Sequence, residues 1–169
     1  LQNINDSSNI VVVPITKNVG CMDGASIQEI AGDLVFLSPD GLRTIAGTTR
    51  IGDVELGSVT RAIQSIIGTI ASEIDELFVT SAVLRSKSQY RLFYSKPSAT
   101  TVSSKGIIGT ITPNGFEWSE TEGIQAHAFS SGLDKDGLEQ SYHGDKDGYI
   151  YNHDDGNSFE IAGTATNIS

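Results

Sequence analysis

The chain has 169 residues, 38% apolar and 19% charged, which suits one folded domain with a core and argues against wholesale disorder. Its formal charge is −10, and the 11 basic residues are scattered, with only Arg85-Ser86-Lys87 near to a cluster. Phosphate affinity comes from clustered Lys and Arg, so a general nucleic-acid binder is disfavoured.

Cys21 is the single cysteine, which excludes an internal disulfide; its expected role is a small buried apolar side chain. No apolar run approaches the length of a membrane-spanning helix, and the opening stretch does not read as a signal peptide. A chain that opens at Leu1 and stops at Asn167-Ile168-Ser169 is expected to be a piece of a longer polypeptide.

In chain order, residues 10–15 (Ile-Val-Val-Val-Pro-Ile) read as a continuous apolar strand, followed by a connection through Gly20 and Gly24. Four short strands are expected at 26–30, 34–37, 42–45 and 53–56, punctuated by Gly32, Asp40-Gly41, Gly47 and Gly52. Within Ser38-Pro39-Asp40-Gly41, Pro presets the first central turn position and Gly accepts a left-handed one. Residues 58–72 break the pattern and read as a packed connector. There Val59, Ile63, Ile66 and Ile70 recur at helical spacing, enough for one or two turns behind a Ser58 cap. Strands resume at 77–84, 89–95, 106–111 and 116–119, with a polar loop over 96–105. A last set is expected at 126–129, 138–142, 149–152 and 159–162.

Three stretches, 32–42, 113–118 and 144–151, read as one object, a β-hairpin closed by an Asx-Gly turn between strands of aromatic and β-branched residues. The strand sets begin near Ile27, Leu77 and Ala126, a repeat of roughly fifty residues with four strands each, close to that of propeller blades. The expected fold is therefore all-β. It has about three four-stranded antiparallel blades, at 25–57, 77–119 and 124–162, with a connector at 58–72. Because propellers close with about four to eight blades, three make an incomplete arc of a larger propeller.

Chemistry is much less legible. Asp134-Lys135-Asp136-Gly137, Asp145-Lys146-Asp147-Gly148 and Asp154-Asp155-Gly156 invite a calcium reading, since hard cations take several carboxylate oxygens. With Asp145 and Asp147 at EF-hand loop positions three and five, however, position one is His143 and position twelve is Asp154. The leading Asp and the bidentate Glu are both missing, and Asp stabilises turns without an ion, so turn roles are expected. His127, His143 and His153 lack metal-ligand spacing. Glu117, Glu120 and Glu122 around Trp118 resemble a glycosidase acid pair beside a sugar-stacking ring, but alternating Glu residues are also the wet face of a sheet. No phosphate loop, nucleophile elbow or dinucleotide fingerprint is present. No catalytic, cofactor-binding or metal-ligating residue is assigned, and no enzymatic activity is expected.

Two segments, residues 32–45 and, more strongly, 142–159 with its aromatic strand followed by Asp155-Gly156-Asn157-Ser158-Phe159, carry a resemblance. The chain resembles propeller-bearing structural proteins of tailed bacteriophages, specifically the tail nozzle or tail tubular protein B-like family. The resemblance implies a virion tail component assembled in the host cytoplasm as a homo-oligomeric ring. Its partners would be other tail or portal-adaptor proteins. It implies no cofactor, no membrane span and no catalytic residues. An acidic channel wall would repel phosphates within a Debye length, so DNA would pass on ejection without tight binding. The alternative reading is a lectin-like propeller that recognises a host-surface glycan, with Trp118, Tyr90, Tyr94 and Tyr142 lining a sugar pocket.

Overall fold

The computed structural model describes residues 5, 8–11, 20–45, 60–100, 103–113, 115–155, 158–161 and 164–167; for 158–167 it gives the backbone alone. Among these the chain is mostly β, arranged as three antiparallel meanders and a hairpin. The first meander is β1 (Gln28–Ile30), β2 (Asp33–Ser38) and β3 (Gly41–Thr44). One helix follows, α1 (Gln64–Glu73), with 3-10 turns at Arg61–Ile63 and Ile74–Glu76. The second meander has four strands in sequential order: β4 (Phe78–Leu84), β5 (Gln89–Ser95), β6 (Lys105–Thr112) and β7 (Gly115–Glu122). The third is β8 (Ala128–Leu133), β9 (Glu139–Gly144) and β10 (Ile150–Asn152). A separate hairpin pairs β11 (Ser158–Ile161) with β12 (Thr164–Asn167).

The second meander is the middle layer, and strand alternation explains how it is covered on both sides. Pairing sets Val83 across from Tyr90 and Leu92 across from Ile107, so these side chains share one face. Val79, Val83, Tyr90, Leu92 and Ile107 form one buried cluster with Ile30, Val35, Leu37 and Leu42 of the first meander and Ile63, Ile67 and Ile70 of the helical segment. The opposite face carries Ala82, Leu84 and Phe93, which pack with Ala126 and Phe129 at the third meander. Full burial of side chains of this size stabilises by about 1.5–3 kcal/mol each, so both interfaces are strongly favourable. The first strands of the three meanders lie next to one another: β1 contacts β4, and β4 contacts β8. Their starts at Gln28, Phe78 and Ala128 are 50 residues apart in each case.

Several polar groups at these interfaces are matched, although the Thr60 hydroxyl and His127 Nε2 are buried without a partner. Fully buried Tyr90 donates its hydroxyl to Ser26 O at 2.9 Å. Ser81 Oγ donates to Ala25 O at 2.5 Å, and Gln28 Nε2 donates to Ser81 O at 3.0 Å. Across the other interface, Phe129 N donates to Thr80 Oγ1 at 3.0 Å, and Ser131 Oγ to Val83 O at 2.7 Å. Each buried donor that keeps a partner avoids a penalty of about 1–3 kcal/mol.

Several sequence expectations change. The stretch over 58–72 is not merely a connector with one or two helical turns: helical and 3-10 structure runs continuously from Arg61 to Glu76. Ile67, outside the periodic set read from the sequence, is fully buried with Ile70, whereas Ile66 is only partly buried. The expected Ser58 cap lies outside the described residues, as do the 53–56 strand and all but Ile10 and Val11 of the 10–15 strand. The third meander starts two residues later than read, because Ala126 is buried ahead of the strand. Among the described residues only the middle sheet shows four strands, and β11 pairs with β12 instead of extending the third sheet. The three Asx-Gly hairpins are also not one object. Ser38 pairs with Gly41 and Thr112 with Gly115 across two-residue loops, whereas Gly144 pairs with Ile150 across a five-residue loop.

Gly41, Gly115 and Gly148 carry positive φ in these turns, at 141°, 113° and 88°. At Gly41 a Cβ would also collide with the buried Thr60 hydroxyl, whereas at Gly148 the space is open. Gly41→Val is expected to cost about 2 kcal/mol and Gly148→Val about 1 kcal/mol, since strain adds to a clash only at the first. Urea denaturation of the two variants checks the order; equal losses would contradict the Gly41–Thr60 packing.

Candidate functional site

The densest convergence of chemistry-bearing side chains lies at the joint between the second and third sheets. Register creates it. Tyr151 pairs with His143 across β9 and β10, and His153 N donates to Ser141 O just past the strand end at 2.8 Å. His143 and His153 therefore fall diagonally on one face, with Nδ1 and Nε2 2.6 Å apart. His153 sits against Phe129 and Phe93, with centroids at 5.0 and 5.6 Å, and His143 stacks on Tyr151 at 4.8 Å. Burial among these rings lowers both imidazoles from 6.5 to about 4; the neighbouring His143, Arg91 and Lys87 add to the effect at His153. The pair is neutral at pH 7, and one ring donates to the other.

Beside it, Asp154 adopts a left-handed backbone (φ 61°) and turns its carboxylate to Arg91 at 2.8 Å and Lys87 at 2.9 Å. The Arg91 side chain is only 6% exposed and also donates to Gln89 Oε1, so its charge is met inside the fold. Glu139 closes the other side of the joint. Its carboxylate accepts Arg85 N, Ser86 N and Ser86 Oγ at 2.9, 2.8 and 2.6 Å, which ties β9 to the β4–β5 turn. Although desolvation opposes it, these bonds hold the Glu139 carboxyl below its usual value. A cleft of about 490 Å³ opens here, lined by Ser86, Lys87, Glu139, Tyr142, Asn152 and Asp154 among others. Every cation named at this joint faces a carboxylate of the same chain. The arrangement clamps two sheets together, and it places no nucleophile beside a free base.

The aspartate loops use their carboxylates internally. In the first two, the leading Asp takes two backbone donors: Asp134 Oδ1 accepts Asp136 N and Leu138 N, and Asp145 Oδ1 accepts Asp147 N and Tyr149 N, all at 2.8–2.9 Å. The second Asp pairs with the preceding lysine, Lys135 with Asp136 and Lys146 with Asp147. These are two copies of one Asx-type turn. Among the described residues no group of three or more His, Cys, Asp or Glu side chains is placed to hold a metal ion. Millimolar calcium is expected to leave the melting temperature within about 1 °C; a rise of several degrees would restore the ion reading.

The remaining candidates do not converge. Cys21 is exposed, contrary to the buried role read from the sequence, and its Sγ lies 3.0 Å from Asp23 O. His127 lies tilted over Phe78, with ring centroids 4.4 Å apart, and has a buried Nε2 without a partner. Trp118 stacks on Phe116 at 5.3 Å against the core, on the same face as Glu120 and Glu122, while Glu117 projects from the other face. Tyr90 is fully buried, Tyr94 shares the helix-side face with Trp118, and Tyr142 is exposed on a different sheet. The four aromatics of the lectin reading thus line no common pocket.

His143 with His153, and Arg91 with Asp154, were not recognised as pairs from sequence. The hairpin register was the available signal for the first pair, and none existed for the second. No family model, curated protein or solved structure matches the chain. No helix among the described residues is long and apolar enough to cross a membrane.

Proposed function

We propose that the chain is a non-catalytic structural segment, an arc of a β-propeller within a ring-shaped component of a tailed-phage tail. The observation that carries the propeller part is the stacking of three meanders whose first strands begin 50 residues apart and lie side by side. Neighbouring inner strands at a fixed repeat are what consecutive blades around a channel produce. The middle sheet, four-stranded and covered on both faces, has the make-up of an interior blade. The side chains of the joint support a structural role, because their charges and hydrogen bonds join one sheet to the next. The tail assignment rests on the resemblance of residues 142–159. The charge of −10 without a basic stripe suits a wall past which DNA slides.

An arc leaves sheet edges with unpaired backbone groups, which call for a partner strand or neighbouring subunit. The test is a cryo-electron-microscopy map of the parent particle. Density for residues 142–159 is expected in a symmetric ring around the tail channel. Saturable turnover of a glycan by the free chain, outside any virion, would overturn the reading.

A further inference from the structure

The third sheet is covered on one face and bare on the other. Phe129, Ser131 and His143 point toward the second sheet, so alternation sends Ala128, Ser130, Gly132, Tyr142 and Ile150 outward. Ile150 is 78% exposed and Tyr142 45%.

What such a face receives is visible one repeat earlier. On the second sheet Thr80 stands across from Phe93 and Ala82 across from Arg91; on the third, Ser130 stands across from Tyr142 and Gly132 across from Gln140. Thr80 and Ala82 lie 50 residues before Ser130 and Gly132. Both sheets thus set a hydroxyl residue directly opposite an aromatic one, with a small residue next along the same face. On the second sheet the third meander occupies all three. Thr80 Oγ1 accepts Phe129 N at 3.0 Å, Phe93 meets the Phe129 ring edge-on at 4.9 Å, and Ala82 belongs to the same buried cluster. On the third sheet Ser130, Tyr142 and Gly132 are all exposed.

The arriving side repeats as well. Val79 and Ser81 on β4, and Phe129 and Ser131 on β8, face the meander that comes before. Ser81 Oγ donates to Ala25 O at 2.5 Å, and Ser131 Oγ to Val83 O at 2.7 Å. A docking first strand therefore carries an apolar residue and, two positions on, a serine that donates backward. The first meander has Glu29 and Ala31 at those positions, and Glu29 is held by Arg85 at 2.6 Å. A second copy of this chain does not supply the strand.

The rim sets the sign of the charge. In the joint already formed, Arg91 of the receiving sheet meets Asp154 of the arriving one at 2.8 Å. On the bare face Gln140 stands in the place of Arg91. The Asp134 and Asp155 carboxylates lie 3.4 Å from Gln140 Nε2 and Asn152 Nδ2. An arriving residue at the place of Asp154 would meet carboxylates instead of a guanidinium, which favours a cation. We propose that the outer face of the third sheet receives one further meander, from outside these 169 residues. Its first strand carries the apolar residue and the serine, and its rim carries Lys or Arg. The inference rests on the repeat of meanders and not on the tail assignment.

The probe is a duplicate of residues 124–155 with Asp154→Lys, ligated to the end of the chain through about 20 Gly and Ser residues. Such a linker reaches roughly 25 Å and holds the duplicate at about millimolar effective concentration. Asp154→Lys turns the duplicate away from the second sheet, where Arg91 opposes it. Only the original chain carries nitrogen-15, so its amides report separately. Their resonances are expected to shift at Ser130, Gly132, Tyr142 and Ile150, with loss of access to a soluble gadolinium agent. Tyr142→Asp in the original sheet, Phe129→Asp in the duplicate, or a duplicate that keeps Asp154 should each lower the docking constant at least about tenfold. Tyr142 is exposed, so unchanged circular dichroism of the unextended variant confirms that it folds. No shift, or shifts indifferent to these changes, overturns the proposal. So does shielding of the same four residues in the unextended chain, which would mean that another of its segments covers the face. If the duplicate fails to dock while Phe93→Ala still destabilises the unextended chain, the repeat of meanders stands and this inference alone falls.

Discussion

Phe93→Ala is expected to destabilise the chain by about 4 kcal/mol, the middle of the range for removing a buried aromatic ring. Phe93 has no exposed surface, and its ring meets Phe129 edge-on at 4.9 Å and His153 at 5.6 Å. It is the central apolar contact between the second and third sheets. Urea denaturation followed by circular dichroism measures the loss. A cost below about 1.5 kcal/mol would mean that the sheets do not meet through this ring.

Acidification should loosen the same joint before the carboxylates titrate. His143 and His153 hold pKa values of about 4 in the folded chain, against 6.5 when unperturbed. Between those values the unfolded chain binds more protons than the folded one, so stability falls as pH drops from about 6.5 to about 4 and levels off below. Each charged ring would lie against the other and near Arg91 and Lys87, which Asp145 and Asp154 only partly offset. At about 1.4 kcal/mol per pH unit the pair gives roughly 6–7 kcal/mol; partial solvation about halves this, to roughly 3 kcal/mol. The lowered carboxyls of Glu139, Asp154 and Asp40 add a further loss as pH falls through and below their ordinary values. The histidine contribution is therefore read between pH 7 and 5. Replacing both histidines by Gln should flatten the stability profile in that window, and a wild-type profile already flat there would refute the prediction.

What could be read from the sequence was what short-range chemistry fixes. Strand β5 begins and ends at the expected residues, and β4, β6 and β9 differ by one or two at an end. Alternating β-branched and aromatic residues between Gly and Asp turns leave few other conformations for such segments. The helical stretch was under-read because Gly68 and several isoleucines have poor helix propensity. It forms because Ile63, Ile67 and Ile70 are buried against the second sheet, and Gly68 faces open space. The joint was illegible for a different reason. Arg91 meets Asp154, and Glu139 reaches Arg85 and Ser86, across some fifty to sixty residues, and no local pattern marks a partner at that distance. The exposed Cys21 belongs to the same class, since burial of one small side chain depends on what the rest of the chain brings to it.

Trp118 is the only tryptophan, and it lies stacked on Phe116 at the β7 side of the middle sheet, away from the third. Its fluorescence is therefore a local reporter. Loss of the third sheet, by acid or by Phe93→Ala, would leave the indole's surroundings intact and its emission nearly unchanged. Far-ultraviolet ellipticity would fall at the same time. Two optical probes of one unfolding reaction would then give separate midpoints, and the gap between them would measure how independently the outer layer comes away.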